Sequence, residues 1–132
     1  MKIALVQLDV EVDTWSERQL PNLLRQAAGT DLVVFPECMP FGNDEKPVAH
    51  DKAVNILEQA GREVSDCTFI AGGYVTDGQR TYNRVYLVNR GVVEKYYDKQ
   101  IRWTGEKFTP GMKAECFEWA SKKCIPLICA DA

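Results

Sequence analysis

The stretch that most constrains the fold is "TDLVVFPE", in which Leu32 to Phe35 form a continuous apolar run without alternation. Such a run suits a strand buried on both faces of a sheet, whereas a strand with one wet face alternates polar and apolar residues. Upstream, "KIALVQL" (Lys2 to Leu8) is short, apolar and rich in β-formers, as a first strand should be. Between them, "SERQLPNLLRQAA" (Ser16 to Ala28) puts Leu20, Leu23, Leu24 and Ala27 on one helical face. Pro21 starts or kinks this helix, and Gly29 supplies its stop. Strand, helix and strand at this spacing are a βαβ unit.

The alternation continues. "KPVAHDKAVNILEQAGREV" predicts a second helix, with Ala53, Leu57, Ala60 and Val64 at helical spacing, and "CTFIAGGYV" returns to strand character. "TYNRVYLVNRGVVEKYYDKQ" reads as an antiparallel pair turning at Asn89, Arg90 and Gly91. After the loop "TGEKFTPGMKA", two further strands are read in "ECFEW" and "KCIPLICA". The fold class is α/β with a mixed sheet, and 132 residues fit one domain spanning 1–132.

Composition narrows the function. With 45% apolar and 27% charged residues the chain has the makeup of an ordinary folded domain. A net charge of −3 and dispersed basic residues argue against nucleic acid or an anionic membrane as partner. No apolar stretch approaches the ~20 residues of a membrane span, and the N-terminus shows no cleavable leader, so a cytoplasmic location is expected. The odd set Cys38, Cys67, Cys116, Cys124 and Cys129 contains no CxxC pair, which speaks for free thiols rather than disulfides or a zinc ribbon. The single histidine, His50, rules out a metal site built on several imidazoles, and its place in the second predicted helix reads as an exposed position.

Three titratable residues stand at the ends of predicted strands: Glu37 after "LVVFP", Lys99 after "VVEKYYD" and Cys129 within "PLICAD". Ligand sites of open α/β sheets gather beyond the carboxyl ends of strands, so residues distant in sequence can converge there. Singly, each has a plainer explanation: a buried small hydrophobe for Cys129, a solvated strand edge for Lys99 with Lys95, Asp98 and Arg102, and a loop cap for Glu37. Their combination with the flanking residues decides otherwise.

"KIALVQLDV", "GTDLVVFPE", "YNRVYLVNRGVVEKYYDKQ", "TGEKFTPG" and "PLICADA" occur in an order and spacing that resembles the carbon-nitrogen hydrolase family, the nitrilase superfamily. The resemblance covers most of the chain and implies a Glu-Lys-Cys triad of Glu37, Lys99 and Cys129. Glu106 of "TGEKFTPG" looks like the family's assisting glutamate; it is otherwise a loop carboxylate paired with Lys107 or Lys113. Tyr74, Trp103 and Phe108 either line a pocket or belong to the core. The implied substrates are small amides, ureido compounds or nitriles, and no cofactor or metal is required.

The chemistry of these residue types is coherent. A free thiol with a pKa of about 8.5 is mostly protonated at neutral pH, so its attack on an amide or nitrile carbon needs a base or cation nearby. Glu37 is expected to serve as base and then acid, and Lys99 to favour the thiolate and the developing negative charge. Backbone N–H groups from Ala130 onward would add to that stabilisation. The resemblance also implies a partial αββα sandwich lacking its C-terminal half. On that reading Cys129 has too little chain after it for support, and the inner sheet face is uncovered. Either a complementing chain or a second copy in a homo-oligomer would then complete the fold, or the sequence is a fragment of a longer chain, the alternative function being a silent interaction or oligomerisation module.

Overall fold

The computed structural model describes residues 1–7, 17–42, 45–113 and 116–131. Leu8, Ser16, Glu115 and Ala132, which the sequence reading assigns to the first strand, the first helix, the strand "ECFEW" and the tail, lie outside the described residues. The first three strands and first helix are β1 (Ile3–Leu5), α1 (Leu20–Gln26), β2 (Leu32–Val34) and β3 (Val48–Ala49). They are followed by α2 (His50–Glu63), β4 (Thr68–Asp77), β5 (Arg80–Asn89), β6 (Val92–Asp98), β7 (Phe117–Trp119) and β8 (Lys122–Cys124). No helix among the described residues is long and apolar enough to cross a membrane.

Among the described residues six strands form one mixed sheet in the order β1-β2-β4-β5-β6, with β3 beside the far end of β4. The pairs β1–β2, β2–β4 and β3–β4 are parallel, while β4–β5 and β5–β6 are antiparallel. Two antiparallel steps make β6 run the same way as β2 and β4. The carboxyl ends of β2, β4 and β6 therefore share one edge.

Alternation along the strands separates two faces. The outer face carries Val33, Phe69, Ala71, Tyr86 and Val88, which pack with Leu20 and Leu24 of α1 and with Ala53, Leu57 and Ala60 of α2. Each large side chain buried here contributes roughly 1.5–3 kcal/mol. Pro21 stands in the first turn of α1, where its missing N–H is harmless, and Gly29 follows that helix with φ +84°. The second helix starts at His50, later than its sequence pattern predicts, because Val48 and Ala49 pair with Val75 and Thr76 of β4 instead.

The turn between β5 and β6 is formed by Arg90 and Gly91 at φ 49° and 75°. Two positive φ values in succession suit the twist of a tight hairpin. Glycine is needed there for space as well, since a Cβ on Gly91 would lie 2.6 Å from Arg62 Cγ of α2.

The inner face carries Ile70, Val85, Leu87 and Tyr97, and it is covered in part by Phe117, Cys124 and Ile128. The strands β7 and β8 pair antiparallel, turning at Ala120 and Ser121 with positive φ. The strand expected through "KCIPLICA" stops at Cys124, however, and Cys129–Asp131 is a 3-10 turn. Pro126 has no N–H to give to a ladder, and no strand among the described residues pairs with 125–128.

Candidate functional site

Lys99 is the centre of the site. It follows β6 directly, and its backbone N–H donates to the Asn83 carbonyl at 2.9 Å. Its side chain is fully buried, 0% exposed, which a lone ammonium could not tolerate. Two carboxylates compensate it: Nζ lies 3.0 Å from Glu37 Oε1, and 2.8 and 3.1 Å from the two oxygens of Glu106. Burial alone would push the lysine down, but the hydrogen bonds and charges of Glu106 and Glu37 outweigh it and hold the ammonium above its ordinary value. The solvated strand edge is thus not the setting of this lysine.

Glu106 is placed by the loop after β6. The Phe108 ring meets Tyr74 edge-on at 6.2 Å, the Thr109 N–H donates to the Thr81 carbonyl at 2.6 Å, and the Gly111 N–H donates to the Lys99 carbonyl at 2.9 Å. The Glu106 carboxylate accepts from the Tyr74 hydroxyl at 3.0 Å and from the Trp103 backbone N–H at 2.5 Å. Partial burial would raise this carboxyl, but Lys99 first, then the Trp103 N–H and the Tyr74 hydroxyl, hold it below the usual range. Of the two readings of Glu106, the cation it meets is Lys99. Tyr74 and Phe108 are buried beside it, while Trp103 is 66% exposed and contributes through its backbone.

Glu37 lies beyond β2, on a segment seated against β4. The Met39 carbonyl accepts from the Gly72 N–H, and Phe41 packs on Gly73, whose φ of +145° and lack of a Cβ permit the contact. Besides Lys99, Glu37 Oε1 accepts from Asn83 Nδ2 at 2.7 Å. Asn83, on the inner face of β5, is fully buried, and its Oδ1 has no partner among the described residues. Leaving such an acceptor bare costs about 1–3 kcal/mol. Sequence reasoning missed this residue; the signal was a polar side chain on a strand face otherwise filled by Val85 and Leu87.

Cys129 is exposed and lines one cleft of about 290 Å³ with Glu37, Val34, Phe35, Ile70, Val85 and Ile128. Its φ is 50°, a left-handed conformation uncommon for a residue with a Cβ. Asp131, two residues on, ties this turn back to the sheet. Asp131 accepts from the Tyr97 hydroxyl at 2.6 Å, from the Gln100 N–H at 3.1 Å and from the Ile101 N–H at 2.8 Å. It clasps the cysteine turn to Tyr97 of β6 and to Gln100 and Ile101, the two residues after Lys99. Burial and then Asp131 push the Tyr97 hydroxyl well above its ordinary value. Asp131 was legible only as a neighbour of Cys129.

On the opposite face Arg84 is buried against Asp98 at 2.6 and 2.9 Å and Asp77 at 3.1 Å. His50 joins this cluster rather than facing solvent: its Nδ1 lies 2.9 Å from the Tyr86 hydroxyl and 3.0 Å from Arg84. Residues 83 and 84 therefore serve different faces of the sheet.

No family model matches the sequence, and no curated protein is significantly similar to it. Solved structures match the fold throughout. A CN-hydrolase superfamily protein from Xanthomonas campestris, with an arsenic adduct in its active site, superposes with a TM-score of 0.80 at 23% identity over 98% of this chain and 53% of its own. The chain carries the nitrilase-superfamily fold. An amidase from Nesterenkonia sp. (TM-score 0.73, 19% identity) is matched over 98% of this chain and 56% of its own. A branch 10 nitrilase-superfamily member from Saccharomyces cerevisiae (0.73, 21%) is matched over 99% of this chain and 56% of its own. The chain thus spans about half the length of these nitrilase-fold structures.

Proposed function

We propose that the chain carries the catalytic residues of a hydrolase acting on non-peptide carbon-nitrogen bonds, with Cys129 as nucleophile, Glu37 as base, Lys99 as charge stabiliser and Glu106 as assisting carboxylate. The observation that carries this reading is a fully buried lysine bridging two carboxylates, with one of them sharing a cleft with an exposed cysteine. The Nesterenkonia amidase, itself solved as a double mutant lacking a glutamate and a cysteine in complex with acrylamide, supports small amides as the substrate class.

The steps follow from the residues. Glu37 accepts the Cys129 proton as sulfur attacks the amide carbon, and negative charge develops on the former carbonyl oxygen. The Lys99 ammonium, hydrogen-bonded to Glu37 and to both oxygens of Glu106, stabilises that charge through its own positive charge. Glu37 returns its proton to the departing nitrogen, leaving a thioester on Cys129 and releasing ammonia or an amine. A water molecule deprotonated by Glu37 then attacks the thioester, releasing the carboxylic acid and restoring the thiol.

A catalytically silent interaction module is the competing reading. It is favoured by the exposure of Ile3, Leu5, Ile125 and Leu127, which a second copy or a complementing chain would cover. Incubation with small aliphatic amides, ureido acids and nitriles, following acid and ammonia release beside Cys129→Ala, separates the two. Release that Cys129→Ala abolishes, with an acyl adduct on Cys129 by mass spectrometry, is expected of the hydrolase. Identical traces without an adduct would leave the interaction module.

A further inference from the structure

We propose that Asn83 is a positioning residue that assigns the two oxygens of Glu37 to different tasks, reserving Oε2 for the proton exchanged with Cys129. This rests on the reading of Glu37 as base. Oε1 receives both Asn83 Nδ2 at 2.7 Å and Lys99 Nζ at 3.0 Å. Glu37 Oε2 has no donor among the described residues.

Chemistry follows from that asymmetry. A proton placed on Oε1 would face two N–H donors that cannot accept it, so the acid form of Glu37 carries its proton on Oε2. The amide orientation of Asn83 is fixed by the same argument, because the flipped form would set Oδ1 against a carboxylate. Its unpartnered, buried Oδ1 indicates a side chain held in place by what its donor end does for Glu37. Asn83 also accepts the Lys99 N–H through its own carbonyl at 2.9 Å, so one residue of β5 sets base and cation together.

The test is alkylation of Cys129 by iodoacetamide in the whole chain, resolved peptide by peptide across about pH 4 to 9, with circular dichroism as folding control. A Cys129 profile unchanged by Glu37→Gln removes the base reading itself, whatever Asn83 does. With coupling established, Asn83→Ala is expected to slow alkylation at neutral pH about tenfold, and Asn83→Ser, which keeps a donor, to recover part of that loss. Asn83→Asp should move the acid side of the profile upward by about one unit, since a second carboxylate disfavours the ionised form of the first. Profiles of the Ala and Asp variants that overlay the wild type overturn the proposal and leave the base reading standing. If the variants fail to fold, the wild type still decides by NMR: the Asn83 side-chain amide proton should shift over the pH range in which alkylation changes, and a stationary resonance overturns the assignment.

Discussion

A buried lysine between two carboxylates is held by compensation, and removing one member exposes the others. Lys99→Met would leave Glu37 and Glu106 facing one another without a cation. At neutral pH this should cost about 2 kcal/mol, less than a fully buried pair, because the Glu37 side chain stays 30% exposed. The variant should regain stability as the pH falls, because two neighbouring carboxylates without a cation favour sharing a proton; urea titrations at neutral and acid pH read this directly. Equal loss at both would mean that the carboxylates do not sense each other. Glu37, Lys99 and Glu106 were each visible in the sequence through their place at strand ends or in the loop "TGEKFTPG". Asn83 was not, because a strand pattern reveals which face a residue takes but not what waits there from thirty or more residues away.

At the scale of elements, the cysteine turn depends on one carboxylate reaching back to β6. Asp131→Ala would strip partners from the Gln100 and Ile101 N–H groups and from the Tyr97 hydroxyl. Amide exchange at residues 100 and 101 is expected to accelerate on the order of tenfold or more, with little change in the core strands. Gly91→Ala tests the other end of the sheet: its Cβ would lie 2.6 Å from Arg62 Cγ and 2.9 Å from the Arg62 backbone nitrogen. With φ positive as well, a loss of about 2 kcal/mol or more in thermal or chemical unfolding is expected. The βαβ unit, the second helix and the β5–β6 hairpin were legible because period and turn chemistry agree there. The segment 125–131 was not, because its residues look like a strand while Pro126, and the lack of a pairing strand among the described residues, deny them a ladder.

For the whole molecule, pH dependence has a defined sign. Glu106 is held below its ordinary value of 4.5, so its contribution is present above that value and lost as pH falls through the lower, folded one. Lys99 is held above 10.5, so its contribution is present below that value and lost as pH rises through the higher, folded one. Stability should therefore be flat between these limits as far as this pair is concerned, and Glu106→Gln should flatten the acid fall measured by denaturant titration. The inner face offers a separate test. Leu5, 78% exposed, pairs in register with Val34, and Val34 lines the cleft with Leu127. A Leu5→Lys, Leu127→Lys double variant is expected to reduce binding of a hydrophobic dye without unfolding the sheet by circular dichroism.

The register of β5 also acts as a check on assembly. Asn83 serves the carboxylate on one side of the sheet, and Arg84, one residue on, serves the acidic cluster on the other. A slip by one residue would send the guanidinium to the place where Asn83 meets Glu37 and leave Asp98 and Asp77 without their cation. Misaligned pairing thus strips one acidic cluster of its cation and puts a second cation where a neutral amide belongs, so the strand that builds the site also proofreads it.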